Sequence, residues 1–361
     1  MPPPLLPLEH LDPTRFDTAA ILKRLVAAHR ALAEFKGVAA SMPNQGILIS
    51  TLGLQEAKDS SEIENIVTTH DELFREAVQD SATGPAAKKV ARYARALRVG
   101  FESVRSSGLL TGNQLVEIQA ALEKKHAGFR KLPGTVLKDG AGRVVYTPPS
   151  PERLPQLITD LERFINDGEL FTADPLVKMA LLHHQFESIH PFYDGNGRTG
   201  RIINVLYLVK EGLLDTPVLY LSRAIVRHKA DYYRLLQNVR EHDQWEPWVE
   251  YMIGAVELTA KDGIATTQAI KAALMDYKHR IRAGYKFYSQ DLINNLFSHP
   301  YTKIEFLQHD LKVSRLTATR YLDALANDGL LRKLKVGRSN YYINEALYRI
   351  LTGEAPPTSE S

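Results

Sequence analysis

The stretch that decides the fold is His190–Arg201, "HPFYDGNGRTGR". It separates two apolar runs, "DPLVKMALLHHQFESI" (174–189) and "RIINVLYLVKEGLL" (201–214), both of which read as helices. Gly195 and Gly197 permit positive φ and close approach of backbone to a ligand. The second helix, starting near Gly197, points its free N–H groups into the turn, which makes an anion site. Arg198 and Arg201, three apart, share a helix face and suit a polyphosphate. Asp194 beside them would repel a bare polyphosphate; it makes sense as a ligand of Mg²⁺, which bridges phosphate oxygens and needs few carboxylates. Asn196 can donate to a phosphate oxygen. His190, at the end of the first helix, is a candidate general base for an attacking hydroxyl. Of Phe192 and Tyr193, one is expected to anchor the loop in the core. The pieces point to nucleotidyl or phosphoryl transfer, driven by positioning and charge stabilisation.

The chain has 361 residues, enough for two or three domains, and 44% are hydrophobic. No apolar run approaches the roughly 20 residues that span a bilayer. The start, "MPPPLLPLEHLDP", lacks the basic region of a signal peptide. There are no cysteines, which excludes disulfides, thiolate zinc sites and cysteine nucleophiles. A cytoplasmic protein without membrane partners is expected. The net charge of +3 is too mild for a dedicated nucleic-acid binder.

The expected fold class is mainly α. Residues 1–110 form an N-terminal helical region, with helices over 18–39, about 51–79 and 86–107. Residues 111–283 form a helical core, opening with a helix over 111–124 led by Thr111 as N-cap. Within it, 128–149 reads as a β-hairpin around "KDGAG", followed by helices over 152–166 and 174–189. Residues 285–350 give two helices and then two β runs, the order of a winged helix-turn-helix. The tail 351–361 is expected to be disordered.

The opening stretch resembles the Fic family motif H-x-F-x-[DE]-[GA]-N-[GK]-R-x-x-R at every defined position: His190, Phe192, Asp194, Gly195, Asn196, Gly197, Arg198 and Arg201. The resemblance implies a helical Fic fold and AMPylation, the transfer of AMP from ATP to a Ser, Thr or Tyr hydroxyl of a protein. It makes His190 the base and Asp194 the ligand of Mg²⁺ (or Mn²⁺). Asn196 and the turn's N–H groups would hold the α-phosphate, Arg198 the β-phosphate and Arg201 the γ-phosphate, with Phe192 a packing anchor. The hairpin looks like the family's flap, so Val144, Val145 and Tyr146 would dock the target by strand addition. "SSEIEN", Ser60–Asn65, resembles the Fic inhibitory motif [ST]-x-x-x-E-[GN] through Ser60, Glu64 and Asn65. That implies the class with an N-terminal inhibitory helix, about 52–79, in which Glu64 pairs with Arg201. Read without the family, "SSEIEN" is a serine-capped helix start.

Other readings stay open. The same site run in reverse would remove AMP from a protein. A DNA-binding regulator with a nucleotide-sensing Fic domain is a third, since the C-terminal region carries Arg315, Arg320, Arg332, Lys333, Lys335 and Arg338. Self-modification and a homodimer are further partner expectations. His183 and His184 point to different helix faces and read as structural rather than zinc ligands. Trp245 and Trp248 read as packing, with a lesser role near the base. Tyr146 is either structural or lines the adenine side.

Overall fold

The computed structural model describes residues 5–78, 83–336 and 339–354. Arg338 and the tail beyond 354 therefore lie outside the described residues.

The chain is mainly helical. It runs through α1 (Ala19–Ala40), α2 (Gln45–Ile63), α3 (His70–Ala77), α4 (Pro85–Ser107) and α5 (Gly112–Glu123). A short antiparallel hairpin follows, β1 (Leu137–Lys138) and β2 (Val144–Tyr146). Then come α6 (Leu154–Asn166), α7 (Pro175–Ile189), α8 (Asn196–Lys210), α9 (Ser222–Arg227), α10 (Lys229–His242) and α11 (Trp245–Gly284). The C-terminal part is α12 (Gln290–Ser298), β3 (Tyr301–Thr302), α13 (Ile304–Leu311), α14 (Arg315–Asn327), β4 (Arg332–Val336), β5 (Ser339–Ile343) and α15 (Glu345–Thr352).

Local chemistry sets the helix starts. Thr18 Oγ1 accepts from Ile21 N at 3.2 Å and Asp174 Oδ1 from Leu176 N at 2.8 Å. Thr111 and Gln114 form a capping box at α5. Pro175 occupies the first turn of α7, where its missing N–H costs nothing. Both α7 and α8 are buried almost all round. A helix with no wet face is a core helix, so the loop joining these two has its ends fixed from every side.

The expected helix over 51–79 is two helices. α2 starts earlier, at an Asn44 cap whose Oδ1 accepts from Gly46 N at 2.9 Å. It stops at Ile63 in a Schellman turn: Asn65 N donates to Glu62 O and Ile66 N to Ser61 O, both at 3.0 Å. Asn65 takes φ 60°, the left-handed region that Gly and Asn tolerate best. "SSEIEN" is thus a helix end rather than a serine-capped start, and Ser60 is fully buried. Thr69 then opens α3 through a capping box with Glu72. That Thr-x-x-Glu signal was legible in the sequence, but the helical reading ran across it.

The C-terminal part holds the two helices and hairpin expected from the sequence, with α12, β3 and α15 added. The sheet is antiparallel in the order β3-β5-β4. Arg315 pairs with Glu305 at 2.7 Å, Lys333 with Asp323 at 2.7 Å and Arg332 with Glu345 at 3.2 Å. Arg320 lies over the Tyr321 ring. This part packs against α2 and α3: Tyr301 Oη donates to Asp71 Oδ1 at 2.6 Å, and Phe74 meets Tyr348 edge-on at 5.7 Å. The 40-residue α11, about 60 Å long, runs from the core into it. Among the described residues, no helix is long and apolar enough to cross a membrane.

His183 and His184 are both buried. His183 Nε2 meets Tyr232 Oη at 2.8 Å, its ring stacks on Trp248, and His184 packs edge-on against Trp245. Trp248 Nε1 donates to Ala180 O at 2.8 Å, so both tryptophans are packing residues. Burial pushes the His183 imidazole down to about 3. Between that value and its ordinary one near 6.5 the unfolded chain binds the extra proton. The contribution of neutral His183 is therefore complete above pH 6.5 and is lost as pH falls. Replacing it should show this in denaturant titrations at pH 7 and pH 5: His183→Gln should lose about 2 kcal/mol less stability across that interval than the parent. An equal loss in both proteins would refute the assignment.

Candidate nucleotide-binding and active site

The turn between α7 and α8 is built from inside. Phe192 is fully buried and stacks on Phe129 at 5.3 Å, while Tyr193 is exposed. Phe192 is therefore the anchor. The Tyr193 phenol oxygen accepts from Lys131 N at 2.8 Å, tying the turn to the segment before the hairpin. Gly195 has φ +79°, as expected, but Gly197 is helical. Its need for glycine is spatial, because a Cβ there would lie 2.6 Å from Glu64 Oε1.

Asn196 also has a structural role. Its Oδ1 accepts from Phe192 N and its Nδ2 donates to Phe192 O, both at 2.8 Å. The amide thus braces the loop's own backbone, while the second Nδ2 hydrogen is not used by either bond. The first N–H groups of α8 open onto the same turn, as helix N-terminal donors do.

Arg198 and Arg201 are buried, and Glu64 from the end of α2 reaches both. Its Oε1 lies 2.8 Å from Arg201 Nη2 and its Oε2 2.7 Å from Arg198 Nε. Ser60, one helical turn before, accepts from Arg201 Nε through Oγ at 2.7 Å and from Nη2 through its carbonyl at 2.9 Å. The Arg201 contact was expected from the sequence; the Arg198 contact was not. Asn65 Oδ1 accepts from Lys229 Nζ at 3.0 Å, which ties the α2 terminus to α10.

Further groups escaped the sequence reading. Glu123, at the end of α5, approaches Arg198 Nη2 to 2.8 Å. Glu187 is buried on α7, and burial pushes its carboxyl up to about 7 despite Arg201 and Arg240 nearby. Arg130 and Arg240 bind the carbonyl end of α7. None sits in a motif; each is brought in by tertiary packing alone.

His190 caps α7 in the left-handed region, φ 49°. Burial chiefly, then Arg240 and Arg130, pushes its imidazole down to about 4. It is neutral at physiological pH, the state a base requires. Asp194 is 63% exposed on its side chain. Its Oδ1 accepts from Gly195 N at 2.7 Å. His190, Asp194, Glu64, Arg201, Lys229 and Tyr233 line one cavity of about 730 Å³, large enough for a nucleotide. The hairpin borders it through Leu137, Lys138, Asp139, Gly140 and Val145. Val144 and Val145 are exposed, whereas Tyr146 is pinned: its phenol donates to Ser188 O at 3.0 Å and its ring stacks on the Arg240 guanidinium.

Comparison with known proteins agrees with this architecture. Residues 22–102 match the Fic/DOC family N-terminal model, 109–208 the Fic/DOC family model, and 274–347 the C-terminal domain of SoFic-like protein adenylyltransferases. The chain belongs to the Fic/DOC family. It is similar to protein adenylyltransferase fic-1 of Caenorhabditis elegans, 30% identical over 125 residues, 33% of this chain and 24% of that protein. It is also similar to protein adenylyltransferase Fic of Aedes aegypti, 32% identical over 114 residues, 32% of this chain and 21% of that protein. The matched region thus spans about a quarter of the length of these curated relatives. A Fic family protein from Desulfovibrio desulfuricans G20 shares the fold, with TM-score 0.60 and 22% identity over 92% of this chain and 98% of that one.

The brace predicts a stability effect. Asn196→Ala should cost about 2 kcal/mol in chemical denaturation, since two buried backbone groups lose their partners. A cost below about 0.5 kcal/mol would show that the loop holds itself without the amide.

Proposed function

We propose that this Fic/DOC protein transfers AMP from ATP to a Ser, Thr or Tyr hydroxyl of a protein, and that Glu64 restrains it. The observation that carries the reading is the Glu64 carboxylate, which holds the two arginines of a helix N-terminus beside a neutral buried histidine.

ATP's triphosphate would lie along the start of α8, with Arg198 and Arg201 on its β- and γ-phosphates. Asp194 fits a metal ligand: it is an exposed carboxylate beside the phosphate donors, and Mg²⁺ takes most of its other ligands from phosphate and water. The ion, when bound, supplies neutralisation of the phosphate charge. His190 takes the proton of the target hydroxyl, whose oxygen attacks the α-phosphorus. The bond from that phosphorus to the bridging oxygen of the β-phosphate breaks, and pyrophosphate leaves. The target hydroxyl would be brought by a segment lying along the exposed Val144 and Val145.

While Glu64 spans Arg198 and Arg201, both guanidiniums are taken and a carboxylate sits where the end of the triphosphate belongs. A misplaced triphosphate leaves the α-phosphorus out of line for attack. Glu64 and His190 line the same cavity. That proximity supports a second reading, in which Glu64 orients a water to remove AMP from a modified protein. In the C-terminal part, which we read as a winged helix, the carboxylate partners of Arg315, Arg332 and Lys333 support a protein-facing surface over a DNA-facing one.

Incorporation of α-labelled ATP into protein tests the proposal. Glu64→Gly should raise labelling at least tenfold over the parent chain, and adding His190→Ala should abolish it. With His190 neutral above about pH 4, labelling by Glu64→Gly should not decline on the acid side until near that value. Labelling that survives His190→Ala would remove the assigned base. Release of AMP from a modified protein by the parent chain, lost in Glu64→Gly, would favour the second reading.

A further inference from the structure

The last turn of α7 delivers His190, and its carbonyls have no partners within the helix. Each is met from outside. Glu187 O accepts from Arg240 Nη2 at 3.2 Å, and Ser188 O accepts from the Tyr146 phenol at 3.0 Å. Ile189 O accepts from Arg130 Nη2 at 3.4 Å, and His190 O from Arg130 Nε at 2.9 Å. The same Arg130 guanidinium donates to Pro149 O at the end of the hairpin segment, and Arg130 N donates to Pro191 O at 2.8 Å. Arg130 is itself only 3% exposed.

Resting on the transferase reading, we propose that Arg130 is a positioning residue for the reaction: it fastens the hairpin to the carbonyl end of α7 and so fixes His190 against the incoming hydroxyl. Three features support this. A non-glycine residue in the left-handed region persists only where its surroundings hold it, and Arg130 holds the His190 carbonyl directly. A rigid fork with five donors can satisfy carbonyls from the helix, the loop and the hairpin together, which lysine cannot. A cation at a helix C-terminus is also favourable in its own right. A target strand lying on the hairpin would thereby be held in a set relation to the base.

Charged groups face His190 from several elements. Arg240 comes from α10, Arg130 from the segment before the hairpin and Glu64 from the end of α2. Glu187 lies on its own helix, one turn before. Removal of Arg130 alone takes away one of the two cations.

The test uses the full chain carrying Glu64→Gly, with Arg130→Gln and Arg130→Lys added singly. Two readouts are taken: labelling kinetics and titration of the His190 imidazole by NMR. Arg130→Gln should lower kcat roughly 10- to 100-fold with KM for ATP within about twofold. Arg130→Lys should recover part of the loss. His190 should titrate at higher pH in Arg130→Gln than in its parent. A folded Arg130→Gln protein with unchanged kcat and unchanged His190 titration overturns the proposal. Should Arg130→Gln not fold, Arg130→Lys decides, because it keeps the charge and loses the fork: a clear fall in kcat supports the proposal and an unchanged kcat overturns it. If the Glu64→Gly parent transfers no label at all, the transferase reading fails. The NMR titration still reports on Arg130 in that case.

Discussion

One carboxylate sits between two buried guanidiniums, and the rest of the site is arranged around that contact. Arg198 and Arg201 are almost fully enclosed by protein, where an unpaired charge is costly. Glu64 meets both, Glu123 meets Arg198, and Ser60 takes two donors of Arg201. On the proposed reading, ATP and Glu64 compete for the same two cations, and Glu123 stays with Arg198 whichever is present. Buried arginines of this kind need an anionic partner at all times, which makes exchange between an internal carboxylate and a triphosphate a natural switch.

Getting Glu64 to that place depends on how α2 ends. The Schellman turn at Asn65 stops the helix at Ile63, leaving Glu64 as its C-cap with the carboxylate beyond the helix end. The same segment is held from outside the site. Lys229 binds Asn65, and the C-terminal part grips α3 through Tyr301 and Tyr348.

The loop at 190–201 was legible because its chemistry is local: glycine, arginine spacing and a histidine ahead of proline each have meaning within a few residues. The helical class and the hairpin were legible for the same reason. Glu187, Arg130, Arg240 and Glu123 were not, because a lone charged residue in an amphipathic helix or loop gives no sign of what it will meet. Asn196 was assigned to phosphate because its type permits that bond. Only the fold shows that the same amide braces Phe192's backbone from both ends. The helix break at 64–69 was missed for a different reason: a polar, charged stretch continues a helical reading until its caps are given weight.

The central claim is that Glu64 occupies the place of the terminal phosphate. Calorimetric affinities for ATP and ADP, measured in the parent chain and in Glu64→Gly, address it without requiring a target protein. With Glu64 in place the two nucleotides should bind about equally. Once it is gone, ATP should bind at least tenfold more tightly than ADP, because the freed Arg201 then meets a γ-phosphate that ADP lacks. An ATP-to-ADP ratio that is the same in both proteins would contradict the claim.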